Sequence, residues 1–468
     1  MPPKTAALSK PIAPAAAPAI ANLSACVEDA RLAALSREDG PPDPADFRSL
    51  RARLDAARKK VPPLYLQAVH APFVRTLDGL GASGFKRVLA EDPAREGAAR
   101  LMLDIAQAIL QNGEGYRELA TDGFQEVVSD LYDGFLSAED RRGVKPPDRG
   151  VVPPLVRWGD ADAGPYTWPV TATASFEVTA PIVSLPAANA RAGLLAWSAL
   201  AHETAGHDIL EADVGLHDEL VGAVREQLAA AKLGAGIADY WADRLEETAS
   251  DVLGILNMGP AAAVGLIGYF RALNAAYRGR AQLRNVGARD DPHPADILRG
   301  WLGAETVRLL SFGGAQAWAD LLERETDRDL GQVRLGSSPV SAAAAKRSAA
   351  VVAKTIVGGK LASLEQHALG EIQDWRDGDE ELVGTLRELL RSSGPLPAKY
   401  GPGVYAAHLV AAAVFEAASE KTDLKRLMQR MLAALKVMHD KNPSWGPLYV
   451  AHPGDVVARR AYTAGSEA

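Results

Sequence analysis

The sequence predicts a mainly α-helical protein of the α+β class, with many helices and one small mixed sheet beside its most informative helix. Three observations carry that expectation. Alanine, the best helix former and a poor strand residue, is abundant, while aromatic residues make up only 6% of the chain. Between Pro- and Gly-rich breaks, most segments repeat apolar residues at helical spacing. A single stretch, residues 170–185, concentrates Thr, Val, Ile and Phe as strands do.

The 468 residues, 47% of them apolar and 24% charged, suffice for a large core. Residues 1–21 carry lysines and apolar residues punctuated by Pro11, Pro14 and Pro18. The prolines break the apolar run that a secretory signal needs, so this part is expected to be a disordered Pro/Ala-rich tail. Residues 22–150 read as an N-terminal helical region. Within it, residues 43–59 open on Asp43-Pro44, a helix-start signal, and residues 98–110 and 124–136 show helical periodicity. Residues 141–169 are too rich in Pro and Gly for a long helix and read as a linker or loop-rich connection. The region 151–300 holds the strand-like stretch, where Pro181 favours an edge strand or two short strands, followed by helices over 190–210 and 239–258. Residues 301–468 read as a C-terminal helical region closing a cleft over it.

Several classes can be set aside. Lysine and arginine total 51 against 59 acidic residues, a net charge of −8, and there is no long basic run. Nucleic acid is therefore not expected as a partner. No apolar stretch reaches about 18 residues, so no membrane span is expected, and residues 258–270 and 404–415 read as buried helices. Cys26 is the only cysteine, so no intrachain disulfide can form and a Cys-based metal site is excluded. The cytoplasm is the expected location.

The helix expected over 190–210 contains Ala201-His202-Glu203-Thr204-Ala205-Gly206-His207-Asp208. Two histidines flanking a glutamate is the pattern of a zinc peptidase, in which imidazoles bind the metal and the adjacent carboxylate activates water. The usual spacing is His-Glu-x-x-His; here there is one residue more. Positions i and i+5 point roughly 140° apart on an ideal helix, so convergence of His202 and His207 demands a π-bulge, which Gly206 would tolerate. A third ligand is expected from the helix over 239–258, which carries Glu246-Glu247-Thr248-Ala249-Ser250-Asp251. Glu247 would complete the metal shell. Asp251, one turn on, could accept the free N–H of a ligand histidine and fix its tautomer. The apolar stripe Leu245, Ala249, Val252 and Leu256 leaves the carboxylates facing either a cleft or solvent.

His-Glu-x-x-Gly-His followed by Glu-Glu-x-x-x-Asp resembles the dipeptidyl peptidase III family of zinc exopeptidases, whose motifs are His-Glu-x-x-Gly-His and Glu-Glu-x-x-x-Glu. The resemblance covers about 60 residues, ending at Asp251. It implies one Zn²⁺ per chain on His202, His207 and Glu247, with Glu203 as general base and Asp251 behind the ligands. Aspartate at that last place departs from the family and instead resembles the Glu-x-x-x-Asp of thermolysin-like peptidases. The implied fold is zinc-peptidase-like, and the implied substrates are short peptides cleaved by an exopeptidase or oligopeptidase.

Two further candidates lie outside the motifs. The segment Asp290-Asp291-Pro292-His293-Pro294, running on to Arg299, is similar to a His-Pro…Arg segment found downstream of the third ligand in some zinc endopeptidases. It makes His293 a candidate for oxyanion stabilisation or substrate binding. Tyr405 and His408, three apart where a Gly-rich turn enters a helix, could reach a cleft together, which makes Tyr405 a candidate catalytic group. Two rival readings stand beside the peptidase. One is a metal-dependent phosphohydrolase using the His207-Asp208 dyad, with Asp251 as a distant ligand. The other is a non-enzymatic helical scaffold with a degenerate motif. Oligomeric state is left open.

Overall fold

The computed structural model describes residues 18–136, 141, 143–148, 152–205, 209–234, 236–401 and 403–446. Most of the expected tail, residues 1–17, lies outside these. Among the described residues the chain is mainly helical, with two small three-stranded mixed sheets. Helices α1 (Leu23–Ala34), α2 (Ala98–Glu114) and α3 (Glu118–Leu136) precede the first sheet, which consists of β1 (Leu155–Gly159), β2 (Tyr166–Trp168) and β3 (Ile182–Pro186). Helices α4 (Leu195–Ala205), α5 (Leu245–Met258), α6 (Pro260–Arg278) and α7 (Asp296–Arg308) then pack against one another around the site. Helices α8 (Ala406–Ser419) and α9 (Leu424–His439) pack against α3 and against each other. Among the described residues, no helix is long and apolar enough to cross a membrane.

The first sheet joins two apolar clusters. β1 and β3 are parallel, with Leu155 opposite Ile182 and Val156 opposite Val183. Successive side chains on a strand face opposite ways, so Leu155 and Ile182 enter a smaller cluster while Val156, Val183 and Leu185 enter the main one. Both clusters draw on residues from either side of position 150.

The strand expectations need correcting. Residues 170–185 are not one strand-like stretch, because Val170–Thr173 is a turn of α-helix continued by a 3-10 turn at Ala174–Phe176. Pro169 sets the extended entry to that turn, and the buried Thr173 hydroxyl lies 3.0 Å from Ala180 O, 3.2 Å from Val178 O and 3.3 Å from Val170 O. Tertiary contacts thus override the β preference of these residues. Pro181 precedes β3 rather than interrupting it, and β3 is the central strand of the order β1-β3-β2. The two remaining strands lie inside the stretch 141–169 that reads as a loop-rich connection.

Two helix boundaries also move, and both moves shape the site. The helix expected from residue 190 begins at Leu195, after Gly193 in the left-handed conformation (φ 72°). The amides of Gly193 and Leu194 donate to Asp29 on α1, at 2.9 and 3.2 Å, so a remote carboxylate caps this end. The helix expected over 239–258 is broken at Arg244, whose guanidinium donates to the carbonyls of Tyr240, Ala288 and Arg289. α5 therefore starts at Leu245, and Glu247 falls in its first turn, where the helix dipole favours a carboxylate.

Candidate active site

The site is built where α4 and α5 touch. α4 is buried over nearly all its described positions, as befits a central helix. Gly254 allows α5 to approach it: a Cβ there would lie 2.9 Å from the carbonyl carbon of Ala201 and 3.1 Å from His202 N. This close approach brings the side chains of His202, Glu247 and Asp251 into one buried group. Glu247 and Asp251 both face inward, and Asp251 is almost wholly buried.

His202 lies between these two carboxylates. Its Nδ1 is 2.8 Å from Asp251 Oδ1, and its Nε2 is 3.2 Å from Glu247 Oε2. Arg299 on α7 completes the set by donating to both oxygens of Asp251 at 2.7 Å, and its guanidinium lies over the Phe270 ring. When His202 is neutral, two carboxylates against one guanidinium leave this buried group net negative. Its proton affinities follow from that. Burial lowers the pKa of the imidazole, but the hydrogen bond with Asp251 and the charges of Asp251 and Glu247 outweigh it and raise the value to about 10. Burial raises the Glu247 pKa, yet His202, Arg299 and His293 hold it well below the usual carboxylate range. For Asp251 the burial penalty is likewise overcome by Arg299 and His202. The site therefore favours a cation at His202.

Glu203, next along α4, faces a cavity of about 320 Å³. Thr167 on β2 holds it, with its hydroxyl 3.1 Å from Glu203 Oε2 and 2.9 Å from the Glu203 carbonyl oxygen. The cavity is also lined by His202, Tyr269, His293 and Arg299. Burial raises the Tyr269 pKa, and the charge of Glu203 adds to this, so the phenol stays protonated. His293 reaches the same place from the loop before α7. Its Nε2 is 3.5 Å from Glu247 Oε1, and its Nδ1 is 3.0 Å from Asp291 Oδ1.

The structure thus brings His202, Glu203, Glu247, Asp251 and His293 together. His207, Gly206 and Asp208 lie outside the described residues, as therefore do the π-bulge, the convergence of the two histidines and the His207-Asp208 dyad. Tyr405 is elsewhere. It immediately precedes α8, where its amide donates to His408 Nδ1, and His408 Nε2 lies 2.9 Å from Asp379 Oδ1. Tyr405 and His408 do share a cavity, of about 370 Å³ with Trp375 and Asp130, but it has no lining residue in common with the one at Glu203. Thr167 and Tyr269 have no motif around them in the sequence. Arg299 belongs to the His-Pro…Arg segment, which gave no role to its guanidinium.

Whether these residues fit a metal ion can be judged from Glu247 Oε2. It is buried and, among the described residues, makes no hydrogen bond of acceptable direction, although it lies 3.2 Å from His202 Nε2. Ligand bonds of 2.0–2.1 Å in a tetrahedral zinc site put neighbouring ligand atoms about 3.3 Å apart, and His202 Nδ1 is fixed by a carboxylate as metal-binding histidines usually are. The pair fits. Among the described residues no group of three or more His, Cys, Asp or Glu side chains is arranged to hold a metal; His207, the remaining expected ligand, is not one of them. Compared with known proteins, the chain matches no family model, no curated protein and no solved structure.

Proposed function

We propose that the protein is a zinc-dependent peptidase of zinc-peptidase-like architecture that hydrolyses short peptides. His202, His207 and Glu247 would hold the metal, with Glu203 as general base. The observation that carries this reading is the meeting of His202 Nε2 and the hydrogen-bond-poor Glu247 Oε2 at 3.2 Å, beside a cavity faced by Glu203. Zinc bound there would supply Lewis acidity, lowering the pKa of water and polarising a carbonyl.

The chain's own residues then have separable tasks. Asp251 accepts the Nδ1 proton of His202, leaving Nε2 as the ligand atom, and Arg299 keeps Asp251 ionised and oriented. Glu203 takes a proton from the attacking water and delivers it to the leaving amine. Thr167 fixes the carboxylate for both transfers. His293, whose Nδ1 donates to Asp291, presents Nε2 at the cavity wall to the bound peptide.

Metal analysis of the purified protein, run beside peptide hydrolysis by Glu203→Gln, tests the reading. About one zinc per chain is expected, with a fall in hydrolysis of roughly 10²–10⁴-fold in the variant and no loss of metal. Absence of zinc, or full activity in Glu203→Gln, would overturn it.

A further inference from the structure

The cavity at Glu203 has a chemistry that points to one class of substrate. Its wall is a face of α6, where Leu266, Phe270 and Leu273 recur at helical spacing. Three arginines border it, and two are already neutralised. Arg299 is paired with Asp251, and Arg284 with Asp296 and Asp291 at 2.7 and 3.0 Å. Arg278 differs. It ends α6 at the exposed rim of the cavity, and among the described residues nothing pairs with it.

An unpaired guanidinium beside an apolar wall suits a carboxylate, which it can hold through two parallel hydrogen bonds. From Tyr269, beside Glu203, to Arg278 the helix climbs about 13 Å. An extended peptide advances about 3.3 Å per residue, so a carboxylate at the rim lies about three to four residues from a bond presented to Glu203. We propose that Arg278 binds a carboxylate of the substrate, selecting short peptides that carry a negative charge three to four residues beyond the scissile bond. The inference rests on the peptidase reading. Its charge comes from the C-terminus or from an acidic side chain, and the test separates the two.

Three pools of randomised octapeptides serve as probes: free C-terminal acids without Asp or Glu, the same sequences amidated, and amidated sequences with Glu near the C-terminus. Each is offered to the zinc-loaded wild-type protein, to Arg278→Ala and to Arg278→Glu, with cleavage followed by mass spectrometry. Each is also passed over immobilised Glu203→Gln and over Glu203→Gln/Arg278→Ala. The wild type should cleave charged pools at least about tenfold faster than neutral amides, the worth of one charge-assisted hydrogen bond. Arg278→Ala should erase the preference and Arg278→Glu should reverse it. A fast free-acid pool assigns the C-terminus, and a fast Glu pool assigns a side chain. Equal cleavage of all pools, or a preference that survives in Arg278→Ala, overturns the inference and leaves the peptidase reading standing. If nothing is cleaved, the peptidase reading falls. Arg278-dependent retention of charged peptides would then still support the carboxylate site, and equal retention would overturn it.

Discussion

Arg299 holds both oxygens of Asp251 at 2.7 Å, and Asp251 Oδ1 also meets His202 Nδ1 at 2.8 Å. The three side chains come from α7, α5 and α4, so this one buried chain of contacts ties three helices together at the candidate site. Its members are nearly inaccessible to water. Each is therefore costly to leave unpaired.

Removing the arginine tests this directly. Arg299→Ala leaves Asp251 buried opposite only the imidazole, and breaking a buried pair from one side costs about 3–5 kcal/mol. The expected result is a large drop in denaturation midpoint. Asp251→Leu/Arg299→Met, which removes both charges, should lose less than the sum of the single changes. Strict additivity in urea or thermal unfolding would show that the pair does not act as a unit.

Gly254→Ala addresses the α4–α5 approach. Alanine is the better helix residue by about 1 kcal/mol, so on an exposed helix the change stabilises. Here the added methyl meets the Ala201 carbonyl carbon at 2.9 Å and its oxygen at 3.0 Å. Backbone cannot yield as a flexible side chain does, and overpacking of this kind costs about 1–3 kcal/mol. A lower melting temperature is expected, together with weaker zinc binding because His202 moves away from Glu247. An unchanged or raised melting temperature would show that the helices separate at no cost.

How much of this was legible in the sequence depends on how local each signal is. Helical periodicity and alanine content fix the class, and the two motifs name His202, Glu247 and Asp251, which meet, and Glu203, which lines the adjoining cavity. The start of α4 was not legible, because its capping group is Asp29, some 160 residues away (separations of 164 and 165). Nor was the break before α5, which Arg244 makes by bonding to the carbonyls of Ala288 and Arg289. Strands β1 and β2 are short and embedded among prolines and glycines, so local composition hides them while pairing with β3 creates them. Tyr405 shows the converse error. Its proximity to His408 is local and real, yet sequence spacing says nothing about which cavity the two share.

Asp130 on α3 offers a pH-dependent prediction away from the candidate site. Burial, then the charge of Glu126, raises its pKa well above the ordinary value; the Ala406 amide opposes this and Asp133 adds to it. Its Oδ1 makes no hydrogen bond among the described residues. The sign follows from linkage: above the unfolded pKa near 3.9, the native state keeps a proton that the unfolded state has released. Stability contributed by this group therefore falls as pH rises from there through the folded pKa. Asp130→Asn keeps an acceptor for the Ala406 amide and offers an N–H₂ to the acidic neighbours. It should melt higher than the wild type at pH 7.5, with the advantage vanishing near pH 4. An equal difference at both pH values would contradict the assignment.

Thr167 supplies the most discriminating change near Glu203. Its hydroxyl has one proton to donate, either to the Glu203 carbonyl at 2.9 Å or to Oε2 at 3.1 Å. Thr167→Val keeps the shape and removes the donor, so Glu203 should remain in the cavity but lose its fixed orientation. Under the peptidase reading, kcat should fall about tenfold, the worth of one hydrogen bond to a charged group, with KM nearly unchanged. Thr167→Ser, which retains the hydroxyl, should recover most of that rate, and zinc content should match the wild type in both variants. A Thr167→Val protein as active as the wild type would show that β2 does not position the base. A loss shared equally by the serine variant would assign the effect to packing of the edge strand rather than to the hydrogen bond.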